Sequence, residues 1–341
     1  MKFILDDEQR LFGSTVDKLL SAADVPSVAR AWASGSHGAG VSLWRSLADA
    51  GLFALAVPEA FGGAGPLPVE LVTAFRLLGS HGVPGPYVET VAASALLGSS
   101  GHGSSGHGSS SRGLSGHGFS ELASEWLPRI AEGEALASLT LADVPYALDA
   151  DTADLLLAVS GNEARRGVSG PMHESIDPAR RLFTLAPGDV VASVSSGDAG
   201  AAYDMGTLMA AAQIAGIGER LLAVTVEYAK TRQQFGKPIG EFQAVKHHLA
   251  NAYVVLEHAR PLLYGAALAY GTPSFPREVS AAKAATSEAT YFTSRIALQV
   301  HGAIGYTDEY DPSLLIRKAR ALRGAWASPS AHKARVLAFL T

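Results

Sequence analysis

The feature that most narrows the possible folds is a pair of long apolar stripes at helical spacing, running into and out of one short stop. Leu208, Ala211, Ala215, Leu222 and Val226 recur as one face of a helix. The stretch YAKTRQQFGKPIGEFQ (228–243) follows. Gly236 and Pro238 end the helix, and Phe242, Val245, Leu249, Leu256 and Leu263 mark the buried stripe of a second helix returning antiparallel. Further helices are expected over 278–301, 311–323 and 329–340, and Pro261 should kink the second. Abundant alanine permits close approach, as in a four-helix bundle. Arg232 and Phe235 fall at the hairpin tip. A planar, permanent cation there suits phosphate oxygens, and an aromatic ring can cover a flat heterocycle. A solvated arginine and a core phenylalanine are the alternative at this spacing.

The amino-terminal part also reads as helical. Asp6, Asp7 and Glu8 suit a helix start, followed by Leu11, Val16, Leu19 and Leu20 at helical spacing. Trp44, Leu47, Ala48 and Leu52 continue the pattern to the Gly-rich turn VPEAFGGAG (57–65). Residues 69–78 form another amphipathic run, closed by HGVPGP (81–86). Residues 98–118 then repeat Ser-Gly-His-Gly with almost no apolar side chain, so a disordered insertion is expected over 98–120. His102, His107 and His117 lack an acidic partner and a rigid setting, which argues against a metal site. From Glu125 the runs ALASLTLA, DLLLAVSG, RLFTLAP and DVVASVSS read as strands of a small β domain over 121–200. The expected division is thus an N-terminal helical domain (1–97), the insertion, the β domain and a C-terminal helical bundle (201–341), a mainly α fold with a small β domain.

Composition removes several function classes. The chain has 341 residues and a net charge of −5, so it carries no global basic field for nucleic acid. Without cysteine there are no disulfides, thiol nucleophiles or Cys-bound metals. Charged residues make up only 17% against 48% hydrophobic, which favours an oligomer. The acidic start does not read as a signal peptide, and no spanning helix is expected, so a cytoplasmic location follows.

A second motif, QVHGAIGYTDEY (299–310), ends a long helix with Gly302 and Gly305, which allow close backbone approach to a ligand. Together, R-x-x-F-G-K, Q-x-H-G-x-I-G-Y-T and the early stretch WRSLADAGLFALAVPEAFGGAG (44–65) resemble, in family order, the acyl-CoA dehydrogenases. These flavoproteins desaturate acyl thioesters. The likeness covers residues 1–98 and 203–341 and is slight between. The family places a flavin-holding β-barrel in the middle, here reduced to about seventy residues. LADVPYALDADTAD stands where the family has an acidic Gly-Ser-rich flavin loop.

Desaturation needs a carboxylate to take the α-proton and a flavin to accept the β-hydride. Aligning LLIRKARALRGAWASPS (314–330) on the family's usual base segment puts Trp326 at the glutamate position, and the alternative position falls on Gly206. Asp204 is a nearby substitute, short by a methylene. Asp308, Glu309 and Asp311 lie in a turn and cap region where acids are usual. His247 and His248 are adjacent on a helix and cannot both face inward, so one is expected in a core or interface and the other in water. No Ser-His-Asp arrangement or P-loop is apparent.

What remains is the half of the family's site that reaches a neighbour's FAD at its adenosine and pyrophosphate. The resemblance places Arg232, Gln234, Phe235, Ile239, Phe242, Gln299, Val300, Gly302 and Ala303 there, with Ala303 replacing a common glycine. The length, short β segment and ALRGAWASPSAHKAR ending are similar to the small, base-less subunit of actinobacterial α2β2 acyl-CoA dehydrogenases of steroid side-chain degradation. The implied partners are a larger subunit bearing the glutamate, an acyl-CoA substrate and an electron-transfer flavoprotein. A self-sufficient homotetrameric dehydrogenase and a flavin-free scaffold of the same fold are the alternatives.

Overall fold

Asp6 opens the first helix, α1 (Asp7–Ala22). Its side chain accepts from the Gln9 backbone N–H at 2.8 Å while Gln9 reaches back to the Asp6 N–H, a reciprocal cap that satisfies two orphan donors. The computed structural model describes residues 4–99 and 117–341. The chain then builds α2 (Val25–Ala33), α3 (Gly38–Asp49), α4 (Pro68–His81), α5 (Tyr87–Ser99) and α6 (His117–Ala131). Five strands follow: β1 (Ala137–Thr140), β2 (Ala147–Leu148), β3 (Leu155–Ser160), β4 (Glu163–His173) and β5 (Leu182–Ser193). The remainder is α7 (Ser196–Thr231), a two-strand hairpin of β6 (Gln233–Gln234) and β7 (Lys237–Pro238), then α8 (Gln243–Leu268), α9 (Phe275–His301), α10 (Pro312–Gly324) and α11 (Pro329–Ala338).

These elements form two compact units that cut across sequence order. One contains residues up to Arg30, Val72–Val83 and Thr207–Thr341, and the other Ala31–Leu71 and Pro84–Gly206. The expected stretch 1–97 is therefore shared between the two. The reason is visible in the first unit, where the end of α4 meets α7 at backbone distance. A Cβ on Gly79 would lie 1.9 Å from the Gln213 carbonyl oxygen, and one on Gly216 1.8 Å from that of Arg76. Only glycines let two helices touch so closely. Arg76 closes this crossing: its Nη2 donates to both Glu219 carboxylate oxygens (2.9 and 2.7 Å) and its Nη1 to the Tyr264 hydroxyl at 2.7 Å. By length and composition α7 is apolar enough to cross a membrane, yet 67% of its most apolar stretch is buried inside the protein. Pro261 lies within α8 without ending it.

The second unit packs Trp44 against Phe53 (4.1 Å between ring centroids) and Tyr87 (4.5 Å). Its sheet has the order β1-β3-β4-β5-β2, with β1 and β3 parallel and the remaining pairs antiparallel. Three expectations need correcting. Residues from Glu125 to Ala131 are helical, because α6 buries Phe119, Leu122, Leu127 and Ile130 at helical spacing. RLFTLAP and DVVASVSS form one bulged strand, β5, paired with a long strand at EARRGVSGPMH whose polar alternation hid it. Of the expected insertion over 98–120, residues 98–99 belong to α5 and residues 117–120 to α6. His102, His107 and the rest of 100–116 lie outside the described residues.

Candidate functional site

α7 ends as the breakers dictate, and the hairpin tip turns through two left-handed residues, Phe235 at φ 52° and Gly236 at φ 80°. Two positive φ values in a two-residue loop match the right-handed twist of the flanking strands. Glycine adopts this conformation freely, whereas phenylalanine adopts it at a cost of about 1–2 kcal/mol. The Phe235 ring is nevertheless 91% exposed, touching Phe242 edge-on at 6.1 Å. Arg232 donates its backbone N–H to Tyr228 and accepts from the Ile239 N–H, both at 2.8 Å. Its side chain is exposed, and among the described residues no carboxylate pairs with it. Gln234 is exposed, Ile239 and Phe242 are half-buried, and Lys237 holds its ammonium 4.5 Å over the Phe242 ring.

α9 ends at Gly302 (φ 66°, ψ −140°), whose N–H caps the Leu298 carbonyl. A Cβ there would meet nothing within 4 Å, so the backbone faces open space. Gln299, Gly302 and Ala303 are exposed, and Val300 is half-buried. An aromatic cluster ties this turn to the α7 end. The His301 ring lies 4.4 Å from Tyr228 and 5.2 Å from Tyr310. His301 is 4% exposed, and its Nδ1 donates to the Ala297 carbonyl at 2.8 Å. Burial lowers its pKa, opposed by that hydrogen bond, so the ring is neutral and Nε2 is left as a buried lone pair without a partner among the described residues. Residue-by-residue reading overlooked this trio, although all three side chains stand inside the two quoted motifs. The available signal was an aromatic four residues before Arg232 and another adjoining Gly302.

The positions examined for a base are filled otherwise. Trp326 is 3% exposed in a left-handed conformation (φ 55°), and its carbonyl accepts from His332 Nε2 at 2.7 Å. Gly206 is buried within α7, and Asp204 on the same helix is 3% exposed. Asp308 and Asp311 are held by cations: Arg317 bonds Asp308 at 2.6 Å, and Arg30 bonds Asp311 at 2.7 Å. Asp311 makes no side-chain cap, so ion pairing rather than capping explains these acids. Glu309 is exposed. His247 and His248 are both exposed in this chain, because α8 turns its Lys246–Leu249 turn outward. Phe242, Val245 and Leu249 are only half-buried there, against an expected buried stripe.

Two family models match the chain. One is described as "Acyl-CoA dehydrogenase, C-terminal domain" and matches residues 199–325, and the other as "Acyl-CoA dehydrogenase, N-terminal domain" and matches residues 6–134. The chain is 33% identical to acyl-CoA dehydrogenase IpdE2 of Mycobacterium tuberculosis, over 95% of this chain and 94% of that relative. It is 31% identical to IpdE2 of Mycolicibacterium smegmatis, over 92% and 93%. Butyryl-CoA dehydrogenase of Megasphaera elsdenii shares the fold with a TM-score of 0.82 at 21% identity, covering 100% of both chains. A chain of the ChsE4-ChsE5 complex of Mycobacterium tuberculosis shares it with a TM-score of 0.79 at 22% identity, covering 100% and 99%.

Proposed function

The chain belongs to the acyl-CoA dehydrogenase family, and from that premise we propose that it serves as the base-less subunit of a hetero-oligomeric acyl-CoA dehydrogenase, gripping the adenosine and pyrophosphate of an FAD held by its partner. The observation that carries this reading is the tip itself: an exposed guanidinium with no carboxylate partner among the described residues, beside an exposed aromatic held at positive φ. A chain that needed neither for a ligand would lose little by replacing them. The residues fit a dinucleotide on one side. Arg232 supplies a fork for phosphate, Phe235 a ring for adenine, and the open backbone at Gly302 room for close approach, with Gln299 and Gln234 as amide partners. FAD, when bound, supplies the hydride acceptor for α,β-desaturation. This chain's own part is to bind and orient the nucleotide end.

The proton-accepting carboxylate comes from the partner in this reading, because an indole fills the Trp326 position and glycine the other. The partner is a larger acyl-CoA dehydrogenase subunit in an α2β2 assembly, which would carry two flavins. The substrate is an acyl-CoA with a bulky, steroid-derived acyl group. The shared fold with a chain of the two-component ChsE4-ChsE5 complex supports the hetero-oligomeric part of this reading, and a like fold in the protein described as "Tcur3481-Tcur3483 steroid ACAD" supports the steroid part. Asp204, buried on α7 two residues from the Gly206 position, is the acid from which a self-sufficient enzyme would be built.

Co-expression with a longer homologue that bears the glutamate, sought in the neighbouring open reading frame, tests the reading. The complex should be yellow and active, whereas the chain alone should bind no flavin and turn over no acyl-CoA. A lone chain that binds FAD stoichiometrically and desaturates a thioester overturns the proposal, and Asp204→Asn would then identify the base.

A further inference from the structure

The hairpin tip holds a second cation besides Arg232. Between Arg232 and Phe242 the charged residues are Arg232, Lys237 and Glu241. Glu241 is exposed, and among the described residues no carboxylate pairs with either cation. The register of β6 and β7 sets Gln234 opposite Lys237 and Gln233 opposite Pro238, and one step further the Arg232 carbonyl accepts from the Ile239 N–H. Directly opposed residues share a face of such a ribbon, and successive residues alternate between faces. Arg232, Gln234 and Lys237 therefore fall on one face, with Arg232 and Lys237 as diagonal neighbours about 7–8 Å apart.

Like charges at that separation repel, and no carboxylate of the described chain stands between them to offset it. Lys237 is nevertheless half-buried, with its ammonium 4.5 Å over the Phe242 ring, which Phe235 meets edge-on. The cation–π contact holds this long side chain at one place beside the tip, which lowers the entropy lost when an anion arrives. A diphosphate has the complementary form: two anionic centres on a short bridge, one for a planar fork and one for a compact ammonium, with the Gln234 amide on the same face. A lone arginine rewards one phosphate nearly as well as two, whereas a pair of cations rewards the second.

We infer that Lys237 is the second phosphate-binding cation of the tip, set across the hairpin from Arg232 so that the two bracket the diphosphate of a nucleotide, with the Phe242 ring holding the ammonium ready. The inference rests on the proposed nucleotide-gripping function and names the charge that makes the site prefer a diphosphate to a monophosphate. FAD and coenzyme A both carry a diphosphate, and the test separates them.

The test titrates the flavin-stripped complex of the full chain and its longer homologue with FAD and with coenzyme A, read by calorimetry. Lys237→Met, which keeps the length and loses the charge, should weaken FAD about tenfold, the scale of one charge-assisted contact. Lys237→Arg should stay within about threefold of the unaltered chain, because the charge is kept. With ADP and AMP as competitors, Lys237→Met should weaken ADP about tenfold and AMP by less than about twofold, a split that a merely structural lysine would not produce. Weakened FAD assigns the cation to flavin, weakened coenzyme A with FAD unmoved assigns it to the substrate's diphosphate, and either result upholds the inference. Neither ligand weakened beyond about twofold overturns it, as does a loss that falls equally on ADP and AMP. The lone chain separates this from the functional proposal. Inorganic pyrophosphate should shift the fluorine resonance of para-fluorophenylalanine placed at Phe242, and Lys237→Met should abolish the shift; a shift that survives the substitution overturns the inference. A lysine-dependent shift beside a complex without flavin defeats the functional proposal and leaves Lys237 standing, and a flavin-loaded complex indifferent to Lys237→Met does the opposite.

Discussion

The hairpin tip and the Trp326 position belong to the same helical unit and resolve opposite problems. At Trp326 a large side chain is almost wholly buried, with its carbonyl bonded to His332. At the tip a phenylalanine stands in solvent at positive φ and a guanidinium has no carboxylate partner among the described residues. Both residues lie in the left-handed region, Trp326 at φ 55° and Phe235 at φ 52°, but at Trp326 burial of the indole offsets the strain within this chain. At the tip the strain and the exposed apolar area have no such offset, which makes physical sense if something outside the chain completes it. In the proposed reading, Trp326 puts interior packing where a family enzyme sets a carboxylate toward substrate, and Arg232 and Phe235 form the outward grip.

Two substitutions press hardest on that contrast. Trp326→Ala should cost about 3–5 kcal/mol of unfolding free energy, through lost burial and the cavity left behind. Urea melts of the isolated chain measure it, and a loss under 1 kcal/mol would mean the indole is not structural. Arg232→Ala should leave the same melt within about 0.5 kcal/mol, because the side chain is exposed. It should weaken flavin retention by the complex about 10–100-fold, the scale of a lost charge-assisted hydrogen bond. Unchanged flavin content would favour a scaffold with this fold.

The reason the tip was legible in sequence and much of the interior was not lies in what each element needs. Arg232, Gly236 and Pro238 announce a helix stop by local chemistry, and the structure ends α7 at Thr231. β4 has no such signal. Its residues alternate between glycine, arginine and serine, and its identity comes from pairing with β5 across some twenty residues of chain. The ion pairs of Asp308 and Asp311 were hidden likewise, since Arg30 lies about 280 residues away. His301, Tyr228 and Tyr310 were on view but meet only once α7, α9 and the turn before α10 are assembled.

The second unit supplies a sharper case, because Asp149 is interior yet poorly satisfied. It is fully buried, accepts one bond from Trp32 Nε1 at 2.9 Å, and leaves Oδ2 without a partner among the described residues. Burial raises its pKa from 3.8 to about 8, opposed by the Trp32 bond and reinforced by Glu89. Between those values the folded chain holds a proton that the unfolded chain has released. Its contribution to stability is therefore fully present below about pH 4 and is lost as pH rises through about 8. Asp149→Asn, which stays neutral, should gain about 1–3 kcal/mol over the unaltered chain at pH 8, a gap that closes toward pH 4. Melting temperatures across that range measure it, and a gap independent of pH would mean the carboxyl is ionised throughout.

The smallest effect is the most discriminating, because its two readouts should move in opposite directions. Phe235→Gly removes a side chain that buries almost nothing and relieves a left-handed backbone. The relief of about 1–2 kcal/mol is partly offset by the greater freedom of glycine in the unfolded chain, so melts should shift by at most about 1 kcal/mol, toward stability. Flavin retention by the complex should fall about three- to tenfold, the scale of one aromatic contact. A loss of stability with flavin retained would make the ring a structural plug against Phe242 and the tip an ordinary turn. A gain of stability with flavin lost would mean the strain at Phe235 is kept for a ligand, which is the difference between the tip and Trp326 reduced to a single side chain.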